Sequence, residues 1–256
     1  MAGTDRTYER DRITMAYTET SGPGPLTFVL VHGIGMGRVV FSEVAEILSE
    51  QGRVLAVDLP GFGDSPEPGS ESTLEETAEV IVGFLQDEAP GPVVLVGHSM
   101  GTQIVAEAAY RHPDRVAALV LIAPTVDRHA RTATRQALRM VRDLTGEGPK
   151  VLLLGLWEYA KTSPIWFVNK LRFMLDHRLE LICPGIATPT LVLRGETDRV
   201  CPREWVSEIA EALPEARMTE ISGRGHEAII KSPEPVASLI LEFVEALPRA
   251  DRSSRR

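Results

Sequence analysis

The apolar run Pro92-Val93-Val94-Leu95-Val96 leads directly into Gly97-His98-Ser99-Met100-Gly101, and a helical pattern follows from Gln103 to Tyr110. Few folds accept that order. A strand must become a helix within a handful of residues, with a serine at the apex and a glycine two positions to either side. A serine in so strained a turn crowds its second neighbours, so both flanking positions tolerate little beyond hydrogen. Gly-x-Ser-x-Gly between strand and helix is the pattern of a nucleophile elbow, which lifts the serine hydroxyl above the end of a sheet. The same turn puts Ser99 at a helix N-terminus, where the backbone N–H of Met100 can face a developing oxyanion.

A serine hydroxyl becomes a nucleophile only when a base removes its proton and an acid orients that base. Leu191-Val192-Leu193-Arg194 reads as a buried strand ending in the loop Gly195-Glu196-Thr197-Asp198. Met218 to Ile221 reads as a last short strand ending in Ser222-Gly223-Arg224-Gly225-His226. Asp198 and His226 thus fall at strand ends, where open α/β sheets build their sites. Asp127, just past the strand Val116–Ile122, competes for the role of acid, and Glu196 is a further rival beside Asp198.

The rest of the chain alternates in the same way. Arg6–Arg12 and Thr14–Thr20 read as edge strands of a hairpin. Leu26–Val31, Val54–Val57, Val93–Val96, Val116–Ile122, Leu191–Leu193 and Met218–Ile221 follow, their apolar runs suited to strands covered on both faces. Helical patterns lie between them at Val40–Glu50, Leu74–Glu88, Thr102–Arg111, Arg203–Ala212 and Pro235–Ala246, with Ser72 or Thr73 able to cap the second. This alternation predicts an α/β fold with a doubly wound, mostly parallel sheet. One stretch breaks the rhythm. More than sixty residues without a strand pattern separate Ala123 from Pro189, too long for a structureless loop, and three helical pieces fit there: Arg128–Leu144, Pro149–Ala160 and Pro164–Leu179.

With these features the chain resembles the α/β-hydrolase superfamily from about Arg12 to Leu247, in its serine-nucleophile branch similar to esterases and lipases. Two further motifs carry the resemblance: His32-Gly33-Ile34-Gly35 after one strand, and Asp58-Leu59-Pro60-Gly61-Phe62-Gly63-Asp64-Ser65 after the next. The resemblance implies a catalytic triad of Ser99, Asp198 and His226. It implies an oxyanion hole made by the backbone N–H groups of Met100 and Ile34, with Gly35 in second place. It also implies a helical cap inserted over the site at residues 125–183, on a core formed by 1–124 and 184–248; the charged closing residues 249–256 read by themselves as a flexible basic tail.

Composition narrows the partners. The chain of 256 residues is 43% hydrophobic and 25% charged, as in an ordinary globular domain. Its net charge of −9 argues against general nucleic-acid affinity. No apolar run approaches the ~20 residues of a membrane span, and Met1 to Arg12 lacks the apolar core of a signal peptide, so a cytoplasmic protein is expected. The two cysteines, Cys183 and Cys201, read as free buried thiols, with Cys201 close enough to Asp198 to line the site. No His/Cys cluster has metal-ligand spacing, and the glycines from Gly33 to Gly37 miss the dinucleotide fingerprint at Arg38, so neither metal nor cofactor is expected.

Within 125–183, Arg128, Arg131, Arg135, Arg139 and Arg142 recur at helical spacing. They read as a solvated basic face; the sharper reading is contact with an anionic substrate or lipid surface. The residues Leu152, Leu153, Leu154, Leu156, Trp157, Tyr159, Ile165, Trp166, Phe167, Leu171, Phe173 and Met174 are too apolar for a free surface. Most of them read as packing, and Trp157, Trp166 and Phe167 as contacts to a small apolar or amphipathic substrate. Among the histidines, His98 is expected beside the elbow, His32 under the oxyanion loop, His112 at a helix end, and His129 and His177 on the surface.

These residues suit a cofactor-free serine hydrolase cleaving an ester, thioester or lactone. A carbon–carbon bond hydrolase of ring-cleavage products, a lyase, cyclase or perhydrolase using the same triad, and a small-molecule binding protein on a hydrolase scaffold are the other readings.

Overall fold

The computed structural model describes residues 3–144, 153 and 157–247. One eight-stranded sheet runs through it, ordered β1-β2-β4-β3-β5-β6-β7-β8. The strands are β1 (Thr4–Arg10), β2 (Ile13–Thr20), β3 (Leu26–Val31), β4 (Gly52–Val57), β5 (Val93–His98), β6 (Ala118–Ile122), β7 (Thr190–Gly195) and β8 (Ala216–Ile221). The β1–β2 hairpin joins β4 antiparallel, and every pairing from β4 onward is parallel. The first strand has the expected length but begins and ends two residues before the expected Arg6–Arg12. Asp11 and Arg12 have φ values of 50° and 66° and make the hairpin turn, the left-handed geometry that matches the twist of the strands it joins.

Every residue of β5, β6 and β7 is buried, because helices cover both faces. The main helices are α1 (Ser42–Leu48), α2 (Leu74–Glu88), α3 (Met100–Arg111), α4 (Ala133–Leu144), α5 (Pro164–Asp176), α6 (Arg203–Ala212) and α7 (Pro233–Ala246). Side chains alternate along each strand and so divide the core in two. Val29, Leu95 and Leu121 join Phe84 of α2, Ile104 of α3 and Trp205 of α6 on one face. Phe28, Val96 and Leu193 join Leu48 of α1 and Ile240 of α7 on the other. Of the two capping candidates before α2, Thr73 does the work: it accepts from Glu76 N, while the Glu76 side chain accepts from Thr73 N.

The long β6–β7 segment is helical, with no strand among its described residues. The expected helix Arg128–Leu144 is broken into a short 3-10 turn, Arg128–Ala130, capped by the Asp127 carboxylate through His129 N, and α4, with Arg131 leaving the helical path between them at φ −76° and ψ 42°. The expected helix Pro164–Leu179 stops at Asp176 and restarts as a single turn at Leu179–Ile182. Most of the piece expected at Pro149–Ala160 lies outside the described residues, as do Leu152, Leu154, Leu156 and the tail at 249–256; residues 157–161 are helical.

Buried polar contacts pin this segment to the sheet domain. Lys170 Nζ of α5 donates to Ser72 O (2.7 Å), Ser72 Oγ (2.8 Å) and Thr77 Oγ1 (3.1 Å), and burial pulls its pKa down to about 8. His177, expected on the surface, is buried, with Nε2 bonded to Glu107 of α3 at 2.9 Å. Nothing in its sequence neighbourhood announces Glu107, seventy residues earlier. The arginine series is not one solvated face either. Arg131 reaches the carbonyls of Leu175 and His177 and the Glu180 carboxylate, Arg139 pairs with Asp127 at 2.7 Å, and Arg128 pairs with Glu208 at 2.9 Å. No helix among the described residues is long and apolar enough to cross a membrane.

Candidate active site

β5 ends at His98 and α3 begins at Met100, which leaves Ser99 alone in the turn with φ 52° and ψ −120°. A non-glycine residue held there costs ~1–3 kcal/mol, so the surroundings must enforce it. They do. A Cβ at Gly97 would fall on the Gly101 backbone, and one at Gly101 would fall on the Val31 and His32 carbonyls. The two glycines let the strand and helix close on one another, and Ser99 is driven outward from the sheet.

His226 reaches this serine from the loop after β8. Its Nε2 lies 3.1 Å from Ser99 Oγ, and its Nδ1 lies 3.0 Å from Asp198 Oδ2 in the loop after β7. The other Asp198 oxygen accepts from Val200 N at 2.8 Å and Cys201 N at 2.9 Å. All three side chains are buried. Burial penalises the charged imidazole, yet the Asp198 carboxylate and its hydrogen bond outweigh that penalty and raise His226 well above the usual histidine value. Burial likewise works against ionised Asp198, but the His226 charge and three hydrogen bonds hold its pKa below the usual carboxylate value. Asp127, the rival acid, is occupied by His129 N and Arg139, and Glu196 accepts from Gly223 N at 2.7 Å.

The main chain of His226 is held as firmly as its ring. Its N–H donates to Asp143 Oδ2 of α4 at 2.9 Å, and its carbonyl lies 3.2 Å from His98 Nε2. Desolvation, with the neighbouring His226 charge, drives the His98 pKa down to about 3, so His98 is a neutral ring donating through Nε2. Cys201 packs against the Asp198–His226 contact: its thiol donates to Ala123 O at 3.2 Å, and its sulfur is 3.9 Å from His226 Nδ1. Sequence reasoning placed His98 and Cys201 near the site but missed Asp143, which reads there as one more charge on a polar helix.

The loop after β3 passes close to the elbow, since a Cβ on Gly33 would lie 3.0 Å from the Ser99 Cβ. Ile34 and Gly35 follow in the turn closed by Met36 N to Gly33 O. His32 lies beneath, bonded through Nε2 to Leu59 N at 2.9 Å. The β6–β7 segment sits on this turn: Tyr159 packs its ring against Gly35, and the Trp166 indole covers Gly61 and donates to Pro60 O at 3.1 Å. Both glycines have φ above +60° and leave no room for a side chain. Of the three aromatic residues expected against substrate, Trp166 is thus buried in this packing. Phe167 is half-buried beside Tyr159, with ring centroids 5.2 Å apart, and Trp157 is 66% exposed on the outside.

Two groups among the described residues offer ligand-type atoms within 4.8 Å of one another: Asp198, Cys201 and His226, and Glu75, Glu107 and His177. In the first, burial pushes the Cys201 thiol up to about 12, which keeps its sulfur protonated and a poor ligand. In the second, Glu107 already bonds His177 and Arg111.

A parallel sheet with a serine elbow at the carboxyl end of its central strand defines an α/β fold of hydrolase type. Residues 28–239 match the model of the alpha/beta hydrolase family, and the chain belongs to that family. It is similar to the pimeloyl-[acyl-carrier protein] methyl ester esterase of Vibrio cholerae serotype O1, 41% identical over 258 residues covering 90% of this chain and 99% of the relative. The enzyme of that name in Nitrosomonas europaea is 28% identical over 249 residues, covering 87% and 96%. Among solved structures, a membrane phospholipase A described as a bacterial virulence factor superimposes with a TM-score of 0.82 at 27% identity, covering 97% of this chain and 87% of that one. A thermophilic esterase from Thermogutta terrifontis shares the fold with a TM-score of 0.81 at 24% identity, covering 96% and 98%.

Proposed function

We propose that the chain is a serine hydrolase that cleaves a carboxylic ester through an acyl-enzyme. One observation carries the proposal: a buried, unbroken series from Ser99 Oγ to His226 Nε2 at 3.1 Å and from His226 Nδ1 to Asp198 at 3.0 Å, on a strained elbow. As Ser99 attacks the ester carbonyl, His226 takes its proton. Asp198 fixes the tautomer and stabilises the resulting imidazolium. The N–H groups of Ile34 and Met100 receive the oxyanion, a donor of this kind contributing ~3–4 kcal/mol. The alcohol leaves with the proton from His226, and water activated by the same ring frees the acid. The chain's own groups supply every proton transfer and the charge stabilisation, so the chemistry calls for no cofactor.

Residues 125–183 act in this reading as a helical cap over a core of 1–124 and 184–248. The packing of Tyr159 against the Gly35 turn and the half-buried Phe167 beside it support a roof for the acyl chain. The relatives' names support a methyl or other small-alcohol ester of an extended acyl group as the substrate class. A panel of methyl esters of increasing acyl length, set beside aryl esters, lactones, thioesters and vinylogous diketones, tests this. The expected result is highest kcat/KM on esters, abolished in Ser99→Ala. Preference for the diketones would replace ester cleavage with carbon–carbon cleavage, and binding without turnover would leave a receptor.

A further inference from the structure

The acid and the base of the site come from separate loops after β7 and β8, and one carboxylate outside both loops touches each. Asp143 Oδ2 accepts from His226 N at 2.9 Å, while Asp143 Oδ1 accepts from Arg199 N at 3.0 Å, the residue next to Asp198. Asp143 lies in the last turn of α4, within the β6–β7 segment, and is 7% exposed. Two neighbouring contacts tie the same turn to the acid loop. Arg199 Nη1 donates to Arg142 O at 2.9 Å, and Arg139 Nη1 reaches Val200 O at 3.4 Å.

We infer that Asp143 is a positioning residue, a carboxylate that spans the acid and base loops and thereby sets the separation of Asp198 from His226. The inference rests on the hydrolase reading above and adds a residue to its machinery. Its physical basis is the burial of the carboxylate and of His226, while the Arg199 N–H reaches the other oxygen at a part-buried contact. A buried backbone N–H left unpaired is costly, so the His226 loop is held where its N–H meets the carboxylate, and the Arg199 N–H ties the Asp198 loop to the second oxygen. Charge-assisted bonds to the two oxygens fix direction as well as distance. The separation matters because the base must meet Ser99 Oγ and Asp198 Oδ2 at once. A displacement near 1 Å in such a relay costs about a hundredfold in rate. The geometry also makes the reacting groups depend on the docking of α4, so the segment proposed to cover substrate is physically continuous with the groups proposed to act on it.

The side chain has one property that neither amide nor methyl reproduces: two acceptors and no donor. Asp143→Asn retains one acceptor and turns a donor toward the other N–H; Asp143→Ala retains neither. The experiment measures kcat and KM for a short aryl ester, too small to need the covering segment, together with the second-order rate of fluorophosphonate labelling and the number of sites labelled. With Asp143→Ala, kcat per labelled site and the labelling rate should each fall about tenfold to a hundredfold, with KM changed less than about twofold. Asp143→Asn should fall between it and the wild type.

A purely structural role lowers the number of labelled sites but leaves the rate per site untouched; that result, in either variant, overturns the inference. Should Asp143→Ala not fold, Asp143→Asn alone decides it by the rate per site. A wild-type chain that neither turns over the ester nor takes the probe removes the hydrolase reading and this inference together. A reactive wild type with unchanged rates in the variants removes only the inference.

Discussion

The two halves of the site are held together by different physics. On the serine side, the constraint is steric: Gly97 meets Gly101 within the elbow, Gly101 meets the carbonyls of Val31 and His32, and Ser99 is held at φ 52° between them. On the acid–base side, the Asp198 loop closes locally on Val200 N and Cys201 N, but the backbone of His226 is held by distant residues. His226 N is bonded to a residue 83 positions away and its carbonyl to one 128 positions away. A steric constraint on the backbone survives most changes elsewhere in the protein. A hydrogen-bonded constraint lasts only as long as every distant element stays docked. The serine half is therefore the rigid reference, and the acid–base half is the part that can be tuned or lost.

Substitutions can push on each half in turn. The largest effect is expected from Ser99→Ala, which deletes the proposed nucleophile while leaving the elbow intact: roughly a millionfold loss in kcat, read by stopped assays with an aryl ester. Asp198→Asn should cost on the order of ten-thousandfold, because the amide favours the wrong imidazole tautomer. Asp127→Asn should stay within a few-fold of wild type, since that carboxylate serves a helix turn and Arg139. Reversed results for the two aspartates would move the acid to the loop after β6.

The pH profile probes the electrostatics of the distant half. His226, the proposed base, can take a proton only when neutral, and Asp198 raises its pKa. The kcat/KM should therefore climb about tenfold per pH unit, through an ionisation above the ordinary ~6.5 of histidine, and level off beyond it. In Asp198→Asn the carboxylate no longer opposes the effect of burial, and the ascending limb should move to lower pH; a limb that stays in place would assign the ionisation elsewhere.

The smallest effect concerns docking of the β6–β7 segment. Lys170 has a folded pKa of about 8, below its unfolded value of ~10.4. Below pH 8 both states carry the proton, and the desolvation cost is present in full. Between these pH values the unfolded chain holds more protons, so stability rises with pH, by on the order of 3 kcal/mol at most. Urea denaturation of wild type and Lys170→Met between pH 7.5 and 10.5 should show this rise in the difference between them, and a flat difference would place the lysine charge in a solvated setting.

The contrast also explains what the residues disclosed before any coordinates. The strands, the parallel class of the sheet and the elbow were legible because local rules write them: buried runs such as Val93–Val96, a glycine pair around Ser99, and strand ends at Asp198 and His226. Strand ends erred where turn geometry decided, as at Asp11 and Arg12. The β6–β7 segment was legible only as helix. Its partners are set by tertiary docking, so the burial of His177 on Glu107 and the reach of Asp143 to His226 left no periodic trace. A basic stripe likewise says nothing of which acids will meet it, and Arg139 found Asp127 by folding rather than by spacing.

The seat that Gly35 offers to the Tyr159 ring has a consequence for anyone who reshapes this protein. The turn beneath the ring is also the one proposed to polarise the reacting carbonyl. A bulkier group grafted above it to select a different acyl chain would press on that turn, so selectivity and turnover cannot be redesigned one at a time.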